Sequence, residues 1–323
     1  MKTVLQIFAS FALTTICQAD ESIRQAVAEA LPVIEAGSRG SAEERRCFTC
    51  HNQGLPILVT IEARKHGFQI DTENLTRQVK HTAAHLTRGK RNYEAGYGQG
   101  GKADTAGMAL WVLGTAGHPP SEVSDAVVQF LLSWNADSPH WKPQSDRPPS
   151  EGSFFTSTYL ALRGLQGYSR EKHRERIAIR RDAALNWLVK TEPEETEDAV
   201  FRLRTLHLLG AETTPAAAHL LRLQRADGGW GQLPDLPTEA YSTGSTLVAL
   251  RESGTLETNS EEFRRGIQFL LDSQRPDGTW HVESRSHPIQ EPYESSFPHG
   301  EDQFISSSGT CWAILALLAG LEH

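Results

Sequence analysis

Apolar residues recur along this chain at helical spacing, and the period-two alternation of strands is almost absent. From about residue 100 two kinds of apolar segment alternate. The first is amphipathic and ends in a turn. Phe130-Leu131-Leu132-Ser133-Trp134-Asn135 leads to Trp141, and His219-Leu220-Leu221-Arg222-Leu223-Gln224 leads to Asp227-Gly228-Gly229-Trp230. Phe269-Leu270-Leu271-Asp272-Ser273-Gln274 leads to Asp277-Gly278-Thr279-Trp280. In these three copies the first residue and the tryptophan are eleven apart, and Trp187 begins a worn fourth copy. The second kind is apolar nearly all round: residues 106–113, 159–165, 199–209, 241–250 and 310–321, with small residues such as Ser245, Ala249, Gly309, Ala313 and Ala316. A helix apolar on most sides is buried, whereas one keeping Arg222, Arg264 or Asp272 on a single face forms an outer layer. Stacked outer–inner pairs predict an all-α chain that can close into a toroid.

The N-terminus breaks this pattern. Lys2 precedes an apolar run of fourteen residues, Thr3 to Ile16, and Cys17-Gln18-Ala19 offers small residues before a cut at Asp20. That is the layout of a secretory signal peptide, too short for a spanning helix. Its removal takes away one lysine and no acid, so the net charge moves from −8 to −9. The 32 basic residues against 40 acidic ones argue against binding to nucleic acid. No stretch is long enough for a transmembrane segment. The expected location is exported, periplasmic or secreted.

Three of the four cysteines survive that cut, too few for a disulfide scaffold. Two belong to Cys47-Phe48-Thr49-Cys50-His51, the C-x-x-C-H pattern of covalent c-type haem attachment. Thiols three apart can add to the two vinyl groups of a porphyrin, and the next imidazole binds the iron. One covalent haem c, with Cys47 and Cys50 as anchors and His51 as ligand, is therefore the leading expectation. A Cys47–Cys50 disulfide, a zinc site or a relic motif are the alternatives. For the second axial position, His299 in a loop is the first candidate, with an open sixth position as the equal alternative. Met108 reads as helix core, and His81 and His85 share one face of a helix over residues 72–86.

The repeats carry a resemblance. Arg265-Gly266-Ile267-Gln268-Phe269-Leu270 with Gln274 and Gly278-Thr279-Trp280 resembles the QW motif of squalene and oxidosqualene cyclases, and Gln224 with Gly228 and Trp230 is a shorter match. The resemblance spans about residues 100–323 and implies the (α/α) toroid shared by terpenoid cyclases and protein prenyltransferases. It implies scaffold rather than activity. No Asp-x-Asp-Asp cluster occurs, and the segments 238–241 and 302–305 lack the Cys or His of a prenyltransferase zinc site. The segment Cys47–Gln53 and the stretch 288–303 also resemble exported squalene-cyclase-like repeat proteins that carry an N-terminal C-x-x-C-H.

Connectors into the inner helices gather at one mouth of such a toroid. The longest, residues 281–305, carries Arg285, His287, Gln290, Tyr293, Glu294, His299, Glu301 and Asp302, of which Arg285, Tyr293, Glu294 and Asp302 are candidate mouth residues. Residues 137–154 are rich in Pro and Ser and suit a flap. Gly96 to Lys102 fits G-x-x-x-x-G-K, but Ala103 replaces the Ser or Thr that binds magnesium, so it reads as a Gly-rich mouth loop. The expected organisation is a signal peptide at 1–19, a haem-bearing helical segment at 20–95 and a repeat domain at 96–323. The expected function is electron transfer or haem-based redox chemistry, with a redox partner protein or a small molecule. The alternative is an enzyme or binding protein of the terpenoid cyclase type that handles an isoprenoid or other apolar ligand without haem.

Overall fold

The computed structural model describes residues 2–287 and 293–321, with side chains from Asp20 onward. Among the described residues there are twelve α-helices and no β-strand. They are α1 (Lys2–Glu44), α2 (Leu55–Lys65), α3 (Thr72–Glu94), α4 (Lys102–Thr115), α5 (Glu122–Ser133) and α6 (Phe154–Tyr168). The second half holds α7 (Arg174–Lys190), α8 (Thr196–Leu209), α9 (Thr214–Arg222), α10 (Ala240–Glu252), α11 (Glu261–Ser273) and α12 (Gln303–Leu318). No helix among the described residues is long and apolar enough to cross a membrane.

The even-numbered helices form an inner ring. α4 packs on α6, α6 on α8, α8 on α10 and α10 on α12, and α2 closes the circle between α12 and α4. The odd-numbered helices lie outside, so six outer–inner hairpins make an (α/α) toroid. The closest inner contact needs two glycines. A Cβ on Gly107 of α4 would stand 2.4 Å from the Leu160 carbonyl of α6, and one on Gly164 would stand 2.6 Å from the Gly107 carbonyl.

The QW-like repeats act as fasteners between layers. Trp141, Trp230 and Trp280 are each at most 1% exposed, and each indole Nε1 donates at 2.8 Å to a carbonyl of its own outer helix, at Leu131, Leu220 and Leu270. Each Trp backbone N–H donates to a threonine of the following inner helix, Thr158, Thr243 or Thr310. The glutamines join neighbours: Gln224 Nε2 donates to the Glu262 carbonyl of α11, and Gln274 Nε2 to the Ala26 carbonyl of α1, both within 3 Å. The last repeat thus grips the first helix, whose buried face is Ile23, Val27, Ala30, Leu31 and Ile34. Residues 20–95 supply α2 to the inner ring and α1 and α3 to the outer layer, and position 95/96 falls between α3 and α4.

Candidate functional site at the mouth of the toroid

The C-x-x-C-H segment lies between α1 and α2, wedged against α12. Residues Cys50–Gly54 form one π-helical turn, a geometry that often marks functional positions. Its entry is locked locally. Thr49 Oγ1 accepts from the Asn52 N–H at 3.2 Å, while Gln53 Oε1 accepts from the Thr49 N–H at 2.9 Å. Asn52 Nδ2 donates to Ser41 Oγ at 3.1 Å and to the Tyr293 hydroxyl at 3.3 Å, which ties in the long 281–305 connector. From α3, His81 Nε2 meets the Cys47 carbonyl at 3.0 Å and Arg88 donates to the Arg46 carbonyl. From α12, Ser307 Oγ donates to the His51 carbonyl at 3.1 Å.

The three motif side chains have different surroundings. Cys47 is exposed and Cys50 half-buried, both as free thiols. Burial pushes the Cys50 thiol well up, and the nearby Glu151 and Asp104 carboxylates add to this. Burial lowers the His51 imidazole to about 4, so it is neutral at ordinary pH. Its ring packs 4.8 Å from that of Phe304 and borders a cleft of about 130 Å³. Arg147, Glu151, Ser286 and Ser308 line the same cleft. The flap expected at 137–154 folds over this mouth, with Arg147 paired to Glu151 and the Pro148 carbonyl receiving Ser286 Oγ at 2.9 Å.

As folded, the cleft does not enclose a group of porphyrin size. Sites that enclose drug-sized ligands measure about 300–1,000 Å³, and here the Arg147–Glu151 pair and Phe304 occupy the approach to His51. Of the other axial candidates, His81, His85 and Met108 pack against the C-x-x-C-H segment but outside the lining of the cleft. His299 is held in the last repeat's turn, its Nε2 2.7 Å from Thr279 Oγ1 and its ring beside His281, and it is not among the residues lining the cleft. Met108 is 2% exposed and packs onto Gly54. His85 is buried beneath Phe48. Among the described residues no group of three or more His, Cys, Asp or Glu is placed to hold a metal ion.

The four candidate mouth residues are partly brought together. Arg285 bridges the connector to Glu195 at 2.6 Å and to Gln232 Oε1 at 2.7 Å. Tyr293 joins the C-x-x-C-H segment, and Arg45 lies 4.7 Å above its ring. Asp302 accepts from His281 at 2.8 Å and from the Ser284 N–H at 2.9 Å. Glu294 is exposed. Gln290 lies outside the described residues. The Gly96–Lys102 segment links α3 to α4, and Lys102 Nζ donates to its own loop at the Tyr97 carbonyl.

Below the mouth the inner helices present groups that the sequence reading passed over. Asp104, in the first turn of α4, is 5% exposed, and burial raises its carboxyl to about 8. Glu197, in the first turn of α8, accepts from Thr156 Oγ1 at 2.7 Å and from the Tyr241 hydroxyl at 3.3 Å, and burial raises it to about 8 as well. Two turns deeper, the Arg204 guanidinium is paired bidentately with Glu252 at 2.9 and 3.0 Å. It lies 4.5 Å from the ring centre of Tyr159, 5.1 Å from Trp312, 5.4 Å from Phe201 and 5.6 Å from Trp111. One cation thus touches helices α4, α6, α8, α10 and α12. The available signal was a charged residue within an otherwise apolar inner helix, together with acids one or two residues before the predicted helix starts.

No protein-family profile matches the chain. Short stretches are similar to curated cyclases. It is 36% identical over 106 residues to lanosterol synthase erg7A of Aspergillus fumigatus, covering 32% of this chain and 13% of that protein. It is 28% identical over 102 residues to lanosterol synthase of Candida albicans, covering 27% and 14%. Drimenyl diphosphate synthase of Streptomyces showdoensis is 35% identical over 75 residues, covering 23% and 13%. The chain thus spans less than a sixth of these relatives' length. Among solved structures, the type II terpene cyclase MstE from Scytonema with the product merosterolic acid A superposes with a TM-score of 0.59 at 12% identity, covering 94% of this chain and 98% of that one. A protein from Actinoplanes gives 0.57 at 15% identity, covering 90% and 99%. Six hairpins, QW-like fasteners and this superposition agree: the chain has the helical toroid fold of the terpene cyclases.

Proposed function

We propose that this toroid handles an isoprenoid-type apolar ligand, which enters at the mouth beside His51 and Phe304. The carrying observation is the aromatic interior, with Trp111, Tyr159, Phe201, Tyr241 and Trp312 supplied by five different inner helices. Such rings offer large apolar area to a chain-like ligand. The neighbouring carboxyls favour binding or general acid–base chemistry over alkene protonation. A group with a pKa of about 8, as at Asp104, is a weaker proton donor than an ordinary aspartic acid. Titration calorimetry of the whole chain with farnesol should give saturable binding, weakened about tenfold by Phe304→Ala. Unsaturable partitioning, the same for both proteins, refutes the reading.

A second reading is favoured by the C-x-x-C-H motif and its neutral His51 at the cleft. In it Cys47 and Cys50 would anchor a haem c, His51 would bind its iron, and residues 1–19 would direct export. The 137–154 flap would then have to move off His51, and the haem would supply redox chemistry with a partner protein or small molecule at the mouth. Co-expression with haem-attachment machinery should yield an exported chain that starts at Asp20. Its Soret band should survive acid–acetone extraction. A colourless product with both thiols titratable refutes this reading.

A further inference from the structure

The worn repeat that begins at Trp187 departs from the other copies. In those, the second residue offers its carbonyl, at Leu131, Leu220 or Leu270, to a tryptophan indole. Residues 191–195 join α7 to α8 directly and hold no tryptophan. The Leu188 carbonyl, at the matching position, accepts instead from Arg202 Nε of α8 at 3.0 Å. Trp187 itself is half-buried and borders a cleft of about 310 Å³ between this connector and the flap at 137–154. Pro148 and Pro149 line this cleft and the mouth cleft alike, so the flap is the partition between the two.

Two kinds of wall meet in this cleft. One is aromatic. The Trp187 ring centre lies 4.7 Å from that of His140 and 4.6 Å from that of Phe155, and His140 lies 5.0 Å from Phe154. Phe154 is 43% exposed, although its ring is large and apolar. Burial, helped by the nearby Lys142 and Arg180, holds the His140 imidazole below its ordinary value, so it adds a neutral ring and no competing charge. The other wall is acidic, with Asp146, Glu192, Glu194, Glu195 and Asp198, and no lysine or arginine lines the cleft. Arg202 pairs with Glu192 at 3.0 Å and Arg285 with Glu195 at 2.6 Å. Asp146, Glu194 and Asp198 have no ion-pair partner among the described residues.

The unpaired carboxylates set the sign of the ligand, and the rings set its kind. An anion would meet no cationic side chain here. A metal ion needs converging ligands, and no group of three or more His, Cys, Asp or Glu among the described residues is placed to hold one. An ammonium bearing alkyl groups needs no such convergence. It spreads one positive charge over an apolar surface, which aromatic faces attract at contact and carboxylates attract from further away. We propose that the cleft between the flap and the α7–α8 connector binds an alkylammonium cation, its alkyl groups against Trp187 and Phe154 and its charge facing Asp146, Glu194 and Asp198. Acidic residues alone would attract any cation; the exposed ring and the repeat that gave up its tryptophan turn make the cleft one for an organic cation. Neither His51 nor Phe304 lines it, so it stands apart from the apolar-ligand and haem readings of the mouth.

The test titrates the whole chain by calorimetry with choline, with its neutral carbon isostere 3,3-dimethylbutan-1-ol and with calcium chloride. Low salt keeps the screening of the carboxylates small. Wild type should bind choline saturably and about tenfold more tightly than the isostere. Trp187→Leu should weaken choline about fivefold. The double variant Asp146→Asn, Glu194→Gln changes two exposed side chains and should weaken choline to a similar extent, about fivefold, with the isostere unchanged. Phe304→Ala, at the other cleft, should leave choline binding as it is. Unfolding midpoints check that each variant is folded. Equal affinities for choline and the isostere in wild type overturn the site. Calcium that binds saturably and displaces choline identifies an inorganic-cation site and overturns the proposal as well. The wild-type ligand series needs no variant to fold, so it decides the matter alone.

Discussion

Replacing Trp280 by alanine should cost about 3–5 kcal/mol of folding stability, the range for deleting a buried large aromatic side chain. The indole is 1% exposed, its Nε1 bonds the Leu270 carbonyl at 2.8 Å, and its turn carries Gln274, which grips the Ala26 carbonyl. The substitution therefore opens a cavity where the last repeat meets the first helix, at the closure of the ring. Trp230→Ala should cost a similar amount, because its burial and hydrogen bonding are the same. Trp187→Ala should cost less, since that side chain is only half-buried and stacks on His140 and Phe155. Denaturant unfolding of the three variants checks the order. A loss below about 1 kcal/mol at Trp280 contradicts the fastening role.

Stability should also fall as pH rises through about 7 toward 8. Asp104 and Glu197 titrate near 8 in the folded chain, against 3.8 and 4.5 as ordinary carboxyls. Between those limits the folded chain holds protons that the unfolded chain has released, so raising the pH favours unfolding. His51 and His85 act in the opposite sense. Their folded values near 4 lie below the ordinary 6.5, so between about 4 and 6.5 the unfolded chain binds the extra protons. Burial of His140, His173, His219 and His299 lowers their values in the same direction. The two effects oppose one another until the unfolded histidines have released their protons, at about pH 7.5, and above that the carboxyls dominate. The net drop from pH 6.5 to 8 should be about 1–2 kcal/mol. The double variant Asp104→Asn, Glu197→Gln should flatten that limb. A wild-type profile that stays level from 6.5 to 8 shows that both carboxyls ionise in the fold at ordinary values.

The legible part of this protein is the part governed by local spacing. Eleven residues from Phe269 to Trp280, with Asp277-Gly278 at the turn, return the indole to its own helix at the Leu270 carbonyl. The same arithmetic holds for Trp141 and Trp230. Inner helices were readable for the same reason, although their starts were set a few residues late. Helix α12 begins at Gln303 rather than near 310, because Ser306, Ser307 and Ser308 look like loop residues in sequence yet are buried in a tight ring.

The C-x-x-C-H motif was equally visible, but its surroundings were not. Cys50, Asp104 and Glu151 come from three separate segments, and only the packing of α4 and the flap against the π-helical turn makes their carboxylates neighbours of the thiol. His299 shows the converse. A loop histidine with freedom to reach a site is instead taken by Thr279, two residues past the Asp277 turn signal.

By itself, then, the sequence determined the helical repeat, the outer and inner layers and the attachment-like motif, because each depends on residues within a dozen positions of one another. Only the tertiary structure decided what the toroid encloses. Arg204 meets Trp111, Tyr159, Phe201, Trp312 and Glu252 across five helices, and closure of the ring brings α12 back beside α1 and α2. Contacts over such separations arise from closing a circle of hairpins, and no local pattern of hydrophobic and polar residues records where that circle meets.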